Sequence, residues 1–190
     1  MGFYPVGAVA GGSGIPWIPS DNNLLLANGD PWDAQASVIM AAGTQYLAKL
    51  TARTTTLISN LWFGLQVAGT GTSTGSFAGL ISPAGAVLTS SADIDSQLTG
   101  ATGAIEVPLT TPQTVLAGAF VWAAIVQNLS VTQATLAKGT GGAGGGGIVD
   151  VGLTAANYRF ATNGTILSAI TAITPSANQP TTLDWWVGAS

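Results

Sequence analysis

LAGAFVWAAIVQN, Leu116 to Asn128, is the longest apolar run in the chain, carries no charge and decides the fold class. Its Phe, Val, Trp and Ile favour extended backbone. In a strand, alternation sends Phe120, Trp122, Ala124 and Val126 to one face and Val121, Ala123 and Ile125 to the other. Both sets are apolar, which predicts a central strand buried from two directions. At 13 residues the run is too short for a membrane span.

Working outward, the flanking sequence continues in short β-type runs. Ser37 to Ala41 reads as a short strand and Ala42 to Thr44 as a turn. Gln45 to Arg53 reads as half-buried, with Tyr46, Ala48, Leu50 and Ala52 inward and Gln45, Lys49, Thr51 and Arg53 wet. Leu57 to Ala68 places Leu57, Leu61, Phe63, Leu65 and Val67 together, with Ser59 the polar break. Ile58, Asn60, Trp62, Gly64 and Gln66 take the opposite face. Phe77 to Ile81 and Ala86 to Thr89 flank Ser82-Pro83-Ala84-Gly85, a hairpin signal because Pro fixes φ and Gly frees it. Ser90 to Gly103 is expected as a polar link, and Ile105 to Leu109 as a strand that Pro108 assigns to an edge or an end. Ile148 to Leu153 reads as a strand. Asn163-Gly164 makes a turn into Ile166 to Ile173, a strand or a short helix, and Thr182 to Val187 forms the last strand.

Strands at about 8–12-residue spacing, with no convincing long helix, predict an all-β fold, an antiparallel β-sandwich or jelly roll. It is expected over residues 36–190, with a Gly-rich loop at 139–147. Residues 1–35 are punctuated by Gly and Pro yet keep Phe3, Tyr4, Trp17 and Ile18, which need a surface to lie against. They read as an extended N-terminal arm that docks on a neighbouring subunit, against the plainer reading of a loop packed on its own domain. Phe3, Tyr4, Trp17, Ile18, Trp32, Trp185 and Trp186 are the candidate interface residues, because aromatic anchors contribute most at interfaces. Trp62 and Trp122 are expected in the core.

Only 6% of the 190 residues are charged, against roughly 25% in average soluble domains. The four cations and net charge of -4 offer no basic patch, which argues against nucleic acid as a partner. Charge this sparse suits a surface largely covered by other subunits, against the plainer and compatible reading of an exterior wetted by Thr, Ser, Asn and Gln. There is no Cys, hence no disulfide, and no His, hence no Ser/His/Asp triad and not the commonest general base or metal ligand. Glu106 is the only Glu, and no Asp is singled out as its catalytic partner. Asp93, Asp95 and Asp150 invite comparison with a hard-cation site, but solvated loop carboxylates are the simpler account. The GxGxxG match at Gly139 to Gly144 precedes a strand-like segment rather than a helix and follows from glycine density. The expectation is therefore no enzyme, no cofactor and no metal. The start, MGFYPVGAVAGG, lacks the basic region of a secretory signal, so formation in a cytoplasm is expected.

QYLAKLTARTTTLISNLWFGL, FAGLISPAGAVLTSSAD and VLAGAFVWAAIVQN together resemble a β-sandwich module of virion proteins in phages infecting actinobacteria. The resemblance covers about residues 36 to 138 and rests on composition and strand order, so it transfers no site residue. It implies a structural virion role: a minor tail or fibre protein, or a capsid decoration protein, multimeric, with a trimer fitting either place and other virion proteins as partners. The alternative is a carbohydrate-binding or receptor-binding module that meets a host surface glycan through exposed Trp residues.

Overall fold

A computed structural model describes residues 17–72, 75–139 and 150–190. Its strands are β1 (Leu26–Ala27), β2 (Ala36–Ile39), β3 (Tyr46–Thr51), β4 (Thr56–Val67), β5 (Phe77–Ile81), β6 (Val87–Ser90), β7 (Gly103–Val115), β8 (Phe120–Val126), β9 (Thr135–Lys138), β10 (Phe160–Thr162), β11 (Gln179–Pro180) and β12 (Val187–Ala189), with one four-residue helix, α1 (Asp95–Leu98). All pairings are antiparallel, in two six-stranded sheets. Sheet A runs β1-β12-β4-β9-β2, with β7 on the other edge of β4; sheet B runs β11-β10-β3-β8-β5-β6. The expected β-sandwich is the observed fold.

β8 lies inside sheet B, paired with β3 on one side and β5 on the other. Val121, Ala123 and Ile125 enter the core between the sheets, meeting Ala48 and Leu50 of β3 and Leu61, Phe63 and Leu65 of β4. Trp122, Ala124 and Val126 point the opposite way, into a second apolar layer with Leu47, Ala161, Ile170 and Ile173. Trp122 is 0% exposed. The sandwich is pinned along one side, where Ser91 of the sheet B edge bridges Leu109 of β7 and the Thr110 hydroxyl donates to the Ser90 carbonyl at 2.7 Å.

Several expectations need correction. Ile166 to Ile173 is neither strand nor helix. It crosses the outer face of sheet B as an irregular layer, held by Leu167 N–H donating to Gly43 C=O and Ile173 N–H to Gly85 C=O. Gln45 is consequently buried rather than wet: its amide donates to Thr171 C=O at 3.1 Å and accepts from Thr171 N–H at 2.8 Å. Leu47 is covered by the same layer.

In β4 the pairing with β7 shifts between Ile58, opposite Gln113, and Asn60, opposite Pro108, and across this irregularity the facing pattern of β4 flips. Ile58 is buried with Leu61, Phe63 and Leu65, while Leu57 stands exposed; Val67, beyond a second shift, is exposed too. The link after β6 is less polar than its composition suggests, because Ile94 and Leu98 of the α1 turn are buried in the main core. β7 runs for 13 residues through both Pro108 and Pro112. Pro tolerates this because β7 is an edge strand of sheet A. Of Ile148 to Leu153, only Asp150 onward is described, and it forms a turn in which Leu153 N–H donates to Asp150 C=O at 2.9 Å.

Of the arm expected over residues 1–35, only residues 17–35 are described. Residues 17–35 pack on their own domain: Leu24 and Ala34 rest against Ala137 and Trp186 on the outer face of sheet A. β1 joins that sheet by pairing with β12. Phe3 and Tyr4 lie outside the described residues, as does the Gly-rich loop beyond Gly139.

Candidate functional site

The outer faces of the two sheets set up the site. Across sheet A, outward positions on β4 and its neighbours alternate large and small residues: Trp62, Gly64, Ala104 and Ala137. Gly64 is required there, since a Cβ would lie 2.6 Å from the Ala137 Cβ and push β9 away from β4. The small residues leave a hollow, and the segment 17–35 roofs only part of it.

What remains is a groove of about 590 Å³, walled by Leu24, Pro31 and Ala34 on one side and by Gly103 and Ala104 of β7 on the other. Trp62 and Trp186 also line it. Both indole N–H groups are already committed, Trp62 Nε1 to the Ser190 hydroxyl and Trp186 Nε1 to Gly29 C=O, each at 2.9 Å. The rings therefore offer apolar surface and no free donor. Polar character comes from Asn22, Asn23 and Gln66; no charged side chain lines the groove. Its volume falls within the range of ligand sites, roughly 300–1,000 Å³. An arrangement of indoles, amides and small residues can bind an uncharged apolar group. It supplies no nucleophile paired with a base.

No family model, curated protein or solved structure matches this chain. The site is accordingly read from its own residues.

The structure scatters the candidates named from the sequence. Trp185 is fully buried, its ring stacked on Phe63 with centroids 5.7 Å apart. Trp186 is buried against the 17–35 segment. Trp185 is therefore closed off from another chain, whereas Trp186 shows part of its ring only inside the groove. Trp17, Ile18 and Trp32 lie at the surface, with Trp32 75% exposed. Trp17 Nε1 donates to Asn22 Oδ1 at 2.8 Å, which places it at the rim of the groove. Trp62, expected in the core, faces outward into the groove; Trp122 is in the core as expected.

The carboxylates are not simply solvated. Asp95 is buried and neither of its oxygens has a hydrogen-bond partner; Asp93 Oδ1 accepts from Asp95 N–H at 2.9 Å. Asp150 is also buried, and its Oδ1 accepts from the backbone N–H of Arg159 at 2.6 Å and of Phe160 at 3.4 Å. Burial pushes the Asp150 carboxyl above its ordinary range, opposed by those two hydrogen bonds and the Arg159 charge. Among the described residues no three acidic groups come together in a way that could hold a metal ion. Lys49 sits 4.1 Å from the Phe120 ring centre, and burial lowers its pKa.

Gly64, Gln66, Ala104 and Ala137 were not singled out in the sequence. The available signal was the outward phase of β4, in which a Trp is followed two positions later by a Gly.

Proposed function

We propose that this chain is a non-enzymatic structural subunit of a bacteriophage particle, a β-sandwich that works by assembling with copies of itself and with other virion proteins. The observation that supports assembly is the character of the surface. Trp32, Ile39, Leu116, Val131, Val151 and Ile166 all stand more than 60% exposed, on a chain with only 12 charged residues. Scattered apolar residues are ordinary on a monomer, but a monomer normally keeps them soluble with about four times this charge density. The sequence resemblance described above supports the phage assignment, and either a tail-tip or fibre position or a capsid-surface position is compatible with it.

Sedimentation of the purified chain over a wide concentration range tests the assembly, and particle reconstruction tests its place. A discrete oligomer and density for a two-sheet sandwich on the particle are expected. A chain that remains a monomer at all concentrations and is missing from the particle overturns the reading. The glycan-binding alternative draws on the groove beside Trp62 and is decided by the titration described below.

A further inference from the structure

The groove beside Trp62 has a natural occupant within the sequence. We infer that it receives the apolar N-terminal segment Phe3–Val9 of a second copy of this chain, an inference that rests on the assembly reading above.

Three observations point to that occupant. The groove is lined without a single charged side chain, and residues 1–16 contain none either. An uncharged segment carrying Phe3, Tyr4, Val6 and Val9 loses little on leaving water for such a lining. Next, the segment that already roofs sheet A, residues 17–35, is the direct continuation of residues 1–16. A strand-like stretch beside Leu24 and Pro31 would extend the same cover over the rest of the face. Last, the way the chain leaves the rim favours a neighbour's groove over its own. Trp17 is fixed to Asn22 at the rim, and Ile18, which precedes Pro19, is extended at φ -128° and ψ 151°. The sequence Ile15-Pro16 likewise disfavours helical backbone before Pro. The described chain therefore leaves the rim in extended form at Ile18. Sixteen residues reach about 50 Å when extended, more than the width of a domain this size.

A neutral sugar is the rival occupant. Both indole N–H groups are taken, and three amides are few for the hydroxyls of a saccharide, which would be desolvated without partners. The apolar segment suits the lining better.

Complementation between two full-length variants tests this directly. Phe3→Asp/Tyr4→Asp spoils the arm and leaves the groove intact. Ala104→Trp fills the groove from an exposed position on β7 and leaves the arm intact. Each variant alone is expected to self-associate at least tenfold more weakly than the parent chain, with an unchanged melting temperature. An equimolar mixture is expected to recover a heterodimer by sedimentation, because one chain still has an arm and the other a groove. Parent-like oligomers from both variants overturn the groove assignment and leave the assembly reading standing. A parent chain that is itself monomeric overturns both. Titration with a β-1,4-linked glucose oligosaccharide closes the choice: tight binding to the Phe3→Asp/Tyr4→Asp chain that is lost in Ala104→Trp overturns the arm as occupant in favour of the sugar.

Discussion

Each sheet of the sandwich has an outer face, and the two are finished differently. The outer face of sheet B is sealed by the chain itself: Leu167, Ile170 and Ile173 lie over Leu47, Trp122, Ala124 and Val126. The layer is tied down by side-chain amides at both ends, Gln45 to Thr171 and Asn128 to the Leu167 carbonyl. The outer face of sheet A is roofed over β12 and β9 by residues 17–35 and then left open, with Trp62 half-exposed at the boundary. A covered face uses its large aromatic residue for stability. A half-covered one leaves it available for contact. The same residue type, two strands of the same protein, therefore serves different ends according to how much chain lies above it.

The largest expected effect is at the sealed face. Trp122→Ala should cost about 3–5 kcal/mol in urea or thermal unfolding, since a fully buried indole leaves a cavity that the layer cannot collapse into. Ile173→Ala, which removes the partner side chain from the layer, should cost about 2–4 kcal/mol. It should also raise hydrogen exchange over residues 163–178 more than elsewhere, because it loosens the cover and leaves the sheet beneath. Trp62→Ala at the open face should cost only about 1 kcal/mol, a surface-like value. A loss equal to that of Trp122→Ala would erase the distinction between the two faces.

The smallest effect concerns Asp150, which holds the approach to β10 at the rim of sheet B. Its carboxyl titrates above its ordinary range in the folded chain, so the fold binds its proton more tightly than the unfolded chain does. Its contribution is then fully present below the unfolded pKa and is lost as pH rises through the folded pKa. Asp150→Asn keeps an acceptor for Arg159 and Phe160 N–H and removes the charge. It should flatten that pH slope of the melting temperature, with equal or slightly higher stability at neutral pH. A steeper loss of stability toward high pH in the Asn chain would contradict the sign.

Much of the fold was legible because it follows from alternation. The split of Val121, Ala123 and Ile125 from Trp122, Ala124 and Val126 is a period-two pattern, and the hairpin at Pro83 to Gly85 has its own turn chemistry, with Gly85 at φ +92°. What escaped reading is whatever alternation does not encode. The shift at Ile58/Asn60 changes which residues of β4 face inward, and no residue type announces it. Ile166 to Ile173 has strand-like composition but spends it on a flat layer; Ile166 itself stands 95% exposed at φ +59°. Trp185 and Trp186 looked terminal and therefore peripheral, whereas pairing over a long sequence distance carries them inside. The groove was hidden for a related reason, since it is formed where three strands and the 17–35 segment meet, and its floor is made of glycine and alanine.

The place of β12 has a kinetic consequence. It pairs with β4 through Leu61, Trp62 and Phe63 and with β1 through Leu26 and Ala27, partners separated from it by well over a hundred residues. Until those late residues arrive, β4 has a bare hydrogen-bonding edge on that side and Phe63 has no ring to stack on. Sheet A is thus completed only once the residues of β12 have been synthesised. Loop closure over such distances slows folding to the range typical of all-β sandwiches, on the order of milliseconds to seconds. During that interval the unfinished edge is a ready template for pairing with another nascent chain.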